Sequence, residues 1–137
     1  MVIKTLLIGL IAMAGNGAVQ EEIKEPEEPL EQLSHQEIGT FTATHYTAYC
    51  EGCSGITYNG TDVRNTIYKD GYNVIAVDPN VIELGTIVTI EYSNGETIQA
   101  IADDIGGAIK GNRIDILVQS KDEAYSKGVK EVKVYRE

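Results

Sequence analysis

The sequence predicts an all-β fold for residues 40–137, a small closed barrel with one short helix, and three observations carry that expectation. Short runs of alternating apolar and polar residues, rich in Val, Ile, Thr and Tyr, recur between turn signals such as Asn59-Gly60, Asp70-Gly71 and Asn94-Gly95. A single stretch carries helix signals: Ser120 with Glu123 three residues on, closed by Gly128. Eight tyrosines, one phenylalanine and no tryptophan suit a β-rich domain whose clefts are lined by amphipathic rings. Six or seven strands this short leave exposed edges unless the sheet closes on itself.

The 137 residues leave room for one core. Residues 1–18 read as a signal peptide, because Lys4 precedes an apolar run from Thr5 to Ala14 and Ala12-Met13-Ala14 has the small-x-small form of a cleavage site. An uncleaved anchor is the alternative. Residues 19–39 read as an acidic tether, in which glutamates from Glu21 to Glu37 repel one another while Pro26 and Pro29 interrupt any helix. The net charge of −10 comes with no basic patch, which excludes nucleic-acid backbones as partners.

Strands are expected at Thr40–Tyr49, at Ile56-Thr57-Tyr58, and at Val74–Val77, where Pro79 ends the ladder because it cannot donate to it. Thr86–Tyr92 and Thr97–Ala102 form a hairpin around Asn94-Gly95. Ile114–Val118 and the alternating Val132–Tyr135 complete the set. Cys50 and Cys53 form a lone C-x-x-C. Zinc would need two more ligands, and His45 is the one further candidate in the domain, so no metal is expected. The pair reads as a small-loop disulfide in an exported chain, or as reduced thiols. His45 is expected to pack or to meet solvent.

The stretch from Ala102 to Asp115 organises the rest: a strand, a loop with Gly106, Gly107 and Gly111, and a strand, with Asp104 and Asp115 at the two mouths. A loop that folds back brings the two carboxylates together, and close carboxylates cannot both ionise cheaply. A carboxyl that keeps its proton in a cleft is what general-acid cleavage of a glycosidic bond requires. The alternative is a solvated turn whose aspartates only cap backbone amides.

Val-Ile-Ala-Val-Asp-Pro (74–79), Leu-Gly-Thr (84–86), the whole of 102–115 and Val-Lys-Val-Tyr (132–135), in this order, resemble the three-aspartate ("3D") domain of secreted bacterial wall proteins. That family includes stationary-phase survival and resuscitation-factor-like muralytic proteins and is similar to the catalytic barrel of membrane-bound lytic transglycosylase A. The resemblance implies a six-stranded double-psi β-barrel over 40–137. It also implies non-hydrolytic cleavage of the MurNAc–GlcNAc bond of peptidoglycan to a 1,6-anhydro end, with no cofactor, by a monomer secreted to the wall. The signature aspartates fall on Asp78, Asp104 and Asp115, with Asp115 as the proton shuttle, Asp104 as its tuner, and Asp78 at the substrate or bracing the loop. Asp103 is expected to be a spectator. Tyr46-Thr47-Ala48-Tyr49 and Gly55-Ile56-Thr57 resemble the family's first strand and cleft loop, which implies substrate contacts at Thr47, Tyr49 and Thr57, joined by Gly106, Gly107 and Lys110. Glu83 stands where the family has proline and Ile105 where it has threonine. The competing expectation is a non-catalytic glycan-binding or wall-loosening module, since one barrel shape hosts several functions.

Overall fold

The strands are β1 (Gln36–Tyr46), β2 (Tyr68–Lys69), β3 (Tyr72–Ala76), β4 (Ile87–Tyr92), β5 (Thr97–Asp104), β6 (Arg113–Leu117) and β7 (Lys130–Arg136). One helix, α1 (Lys121–Lys127), joins the last two. These elements are those of a computed structural model that describes residues 36–137; the expected signal peptide and most of the expected tether lie outside the described residues. Six strands pair in the order β3-β5-β4-β7-β1-β6, and β6 pairs back onto β3, which closes the barrel. Two pairs are parallel, β1 with β6 and β3 with β5, and the other barrel pairs are antiparallel. This is the six-stranded double-psi barrel, with one short helix.

The two-residue period of the strands sorts side chains inside and outside. Ile75, Val77, Ala100, Ala102, Ile114 and Ile116 fill the barrel interior together with Phe41 and Ile90. Their neighbours Val74, Ile101 and Leu117 point outward, yet are also buried, because Ala48 and Val63 of the long β1–β2 connection pack over them. Burial on both faces explains why Val74–Val77 reads as one continuous apolar run.

Local chemistry sets the joints. Asp70 and Gly71 both have positive φ (53° and 87°), the backbone of a two-residue hairpin, and they fold β2 onto β3. β2 goes beyond the sequence expectation, although Asp70-Gly71 is its signal. Ser120 caps α1 by accepting from the Glu123 amide at 3.1 Å. The Glu123 carboxylate accepts from the Gln119 amide at 3.3 Å, so the expected box is displaced by one residue. β1 begins at Gln36, inside the expected tether, because Gln36 and Glu37 pair with Arg136 and Tyr135 of β7. Charge composition conceals this boundary, which a partner a hundred residues away decides.

One irregularity positions the site. Ile75 pairs with Ala102 and Ala76 pairs with Asp104, which leaves Asp103 as an extra residue in β5. Such a bulge lets two successive side chains point the same way. Ala102 stays in the interior, and both Asp103 and Asp104 face outward beneath the β1–β2 connection.

Candidate active site

Ala76 of β3 pairs with Asp104 on one side and with Asp115 on the other, and Asp115 pairs in turn with Thr44 of β1. Four adjacent strands thus carry a row of outward-facing residues: Thr44, Asp115, Ala76, Asp104. Two strand spacings separate the two aspartates, roughly 10 Å between Cα atoms, with Ala76 between them. Asp115 lies in the middle of β6 and Asp104 at the end of β5, so the two flank a strand as well as the glycine-rich loop.

Asp115 is half-buried, and burial pushes its carboxyl above the usual carboxylate range. The Thr44 hydroxyl, which donates to Asp115 Oδ1 at 2.8 Å, pulls it back, as do the positive charges of His45 and Arg113. Asp104 adds the smallest of these pushes upward. Desolvation, more than repulsion between the two aspartates, therefore favours the neutral acid. Asp104 accepts from the Tyr46 hydroxyl at 3.1 Å through Oδ2, and from the Tyr58 and Ile105 amides at 2.9 and 3.0 Å through Oδ1.

Asp103 is no spectator. Its side chain is fully buried and takes Thr57 Oγ1 at 2.7 Å, Lys69 Nζ at 3.0 Å and Asn59 Nδ2 at 3.2 Å. Burial raises its pKa, but hydrogen bonds from Thr61, Thr57, Lys69 and Asn59 outweigh that and hold it below the ordinary value. It anchors the 57–61 turn against β5. The sequence signal was its place beside Asp104; the bulge that turns it to the same face is not written in the alternation.

Asp78 ties β3 to the glycine-rich loop. Its two oxygens accept from the Asn80 amide at 3.0 Å and the Gly111 amide at 2.8 Å, and these bonds, Gly111 first, lower its pKa. Gly111 has φ 65°, a conformation that favours glycine. A Cβ on Gly106 would lie 2.9 Å from the buried Ile109 side chain, so that glycine lets the loop fold on itself, whereas a Cβ on Gly107 meets nothing within 4 Å. Lys110 and Gly107 are exposed on the loop.

The remaining expected contacts divide. Thr57 is buried beneath Asp103, and Thr47 is buried with its hydroxyl accepting from the Tyr49 amide at 3.2 Å, so both brace the connection from within. Tyr49 and Tyr58 are exposed, 61% and 67%, the first donating to the Arg64 carbonyl and the second beside Asp104 through its amide. Cys50 and Cys53 form a disulfide in this connection. A cleft of about 380 Å³ opens beside it, lined by Tyr49, Arg64, Asn65, Thr66 and Gln119 among others. His45 closes one end of the barrel, its ring 2.7 Å from the Gly128 carbonyl and 3.1 Å from the Tyr92 hydroxyl. Thr44 was not anticipated, because its partner is 71 residues away.

Fold and site together define a double-psi barrel with two carboxylates on its outer face, one of them pushed above its ordinary pKa by burial. Residues 73–136, which hold all of β4 to β7 and most of β3, match the family model of the 3D domain. The SPbeta prophage-derived uncharacterized protein YorM of Bacillus subtilis (strain 168) is 53% identical over 93 residues, 67% of this chain and 39% of that protein. The cell wall-binding protein YocH of the same organism is 52% identical over 95 residues, 69% of this chain and 31% of that protein. The chain thus spans less than half the length of these relatives. Among solved structures, the lytic transglycosylase MltA of E. coli is similar with a TM-score of 0.48 and 22% identity, over 59% of this chain and 26% of that one.

Proposed function

We propose that the domain is a peptidoglycan lytic transglycosylase that cleaves the MurNAc–GlcNAc bond without water. The observation that carries this reading is Asp115, a half-buried carboxyl with its pKa raised by burial, on the outer face of the barrel and flanked by a second carboxylate. In the first half of the reaction Asp115 gives its proton to the glycosidic oxygen as the bond from that oxygen to the muramyl anomeric carbon breaks. In the second half the Asp115 carboxylate takes the proton of the muramyl C6 hydroxyl as O6 bonds to the same carbon. One bond breaks, one forms, and the O6 proton replaces the one that leaves with the departing sugar, so a single shuttling carboxyl suffices where an ordinary glycosidase needs two. Asp104 stands across Ala76 from Asp115 and gives its carboxyl a small upward push. Asp78 acts from behind by holding the glycine-rich loop, and Thr47 and Thr57 by bracing the connection. Tyr49, Tyr58, Gly107 and Lys110 are the exposed groups that meet the glycan.

The bacterial wall is the proposed location and peptidoglycan strands the proposed partner; the name of the cell wall-binding relative supports both. That name also favours a second reading, a wall-binding module without turnover. Mass spectrometry of muropeptides released from purified sacculi separates them. Anhydromuramyl ends support the transglycosylase, reducing ends that incorporate oxygen from labelled water mean hydrolysis, and binding with no release leaves the module.

A further inference from the structure

The Thr44 hydroxyl has one hydrogen and two acceptors in reach, Asp115 Oδ1 at 2.8 Å and the Ile114 carbonyl at 3.3 Å. The shorter contact is the stronger, and it becomes charge-assisted once Asp115 ionises. Thr44 is held there by the parallel ladder of β1 and β6, which runs in register from Thr42–Arg113 to Tyr46–Leu117. Its β-branched side chain is stiff at χ1, so the hydroxyl does not wander.

We propose that Thr44 is the positioning residue of the proton shuttle: by donating to Asp115 Oδ1 it leaves Oδ2 as the oxygen that carries the proton to and from substrate. The proposal rests on the reading of Asp115 as the acid. A proton on Oδ1 would force the threonine hydrogen onto the longer bond to Ile114, so protonation at Oδ2 is favoured. When Asp115 becomes the base, the same hydroxyl stabilises the carboxylate without competing for the oxygen that must collect the O6 proton. Thr44 thus serves both halves of the reaction with no rearrangement of the backbone.

The other groups that act on Asp115 are His45 and Tyr46 from β1, Arg113 from β6 and Asp104 from β5; Ala76 of β3 brings no charge. All of them remain when the threonine hydroxyl is removed, so a Thr44 variant isolates its contribution. Thr44→Val keeps the shape and the strand preference, and Thr44→Ser restores the hydroxyl. On the full chain, the Asp115 carboxyl carbon is followed by NMR against pH, and anhydromuropeptide release from sacculi is measured on the same samples. In Thr44→Val the Asp115 midpoint moves upward, because the ionised form loses a donor. Its kcat falls about tenfold with KM little changed, and the alkaline limb of activity moves up with the midpoint. Thr44→Ser returns both readouts toward the parent. An unmoved midpoint in Thr44→Val, or a Thr44→Ser protein that behaves as the valine variant, overturns the proposal. A midpoint that moves in a protein releasing no anhydro product leaves Thr44 bound to Asp115 and removes the lytic reading instead.

Discussion

Asp103 and Asp115 sit on the same outer face of one barrel, and in both the largest push on the carboxyl is burial, which favours the neutral form. Their charges nevertheless diverge. Asp103, with no exposure at all, is surrounded by hydroxyls, an amide and an ammonium, and ends below the ordinary pKa. Asp115, less buried, has Thr44 as its hydrogen-bond donor and ends above it. At Asp103 the many donors outweigh burial, and at Asp115 burial outweighs the one threonine donor.

The sharpest way to break that comparison is Asp115→Asn. It cannot donate a carboxyl proton, and turnover on sacculi is expected to fall by about 10²–10⁴ while circular dichroism stays unchanged. Full activity in a folded Asp115→Asn protein would falsify the assignment. Next in size is Asp103→Ala, which strands Lys69 and releases the 57–61 turn. Urea unfolding should report a loss of about 3 kcal/mol, the usual cost of breaking a buried ion pair from one side.

The two groups also predict opposite pH dependences of stability. The Asp103 contribution is present above the ordinary carboxylate pKa and is lost as pH falls through its lowered value. The Asp115 contribution is present below the ordinary value and is lost as pH rises through its raised one. Urea midpoints across pH should therefore show an acid-side fall that Asp103→Ala removes, and a fall on the less acidic side that Asp115→Asn removes. If both variants flatten the same limb, the comparison is wrong.

Asp104→Asn should act more gently. Its charge is the smallest of the named influences on Asp115, so the Asp115 pKa falls slightly and the alkaline limb of kcat/KM moves to lower pH. A shift to higher pH would contradict this. The smallest effect is expected from Cys50→Ser with Cys53→Ser. The disulfide closes a loop of only four residues at the surface, so its removal should cost about 2 kcal/mol or less, and the pair of variants should keep both activity and a zinc-free state. Zinc in the parent, measured by atomic absorption and lost in the double variant, would refute the structural role.

Much of the barrel was legible because its strands obey a two-residue period and its turns carry Asn-Gly or Asp-Gly. The hairpin at Asn94-Gly95 and the capped helix at Ser120 follow from neighbours in the chain. What was not legible depends on partners far away. The start of β1 is set by β7, the role of Thr44 by β6, and the burial of Thr57 by Asp103. Asp103 itself reads as a duplicate of Asp104 until the extra residue in β5 shows that both face the same side. Asp78 could be read as binding substrate or bracing the loop, and only the Gly111 amide on its second oxygen favours bracing.

The bulge in β5 also makes insertions and deletions unequal along this chain. Between Asp104 and Asp115 the loop of 105–112 can change length at a modest entropic cost, provided that the amide bound by Asp78 is kept. At position 103 a deletion is a different event from a substitution. Losing one residue there removes the bulge and restores strict alternation, with Ala102 still opposite Ile75 and Asp104 alone facing outward opposite Ala76. A substitution removes an anchor and keeps the bulge; a deletion removes both, leaving one aspartate to fill two posts.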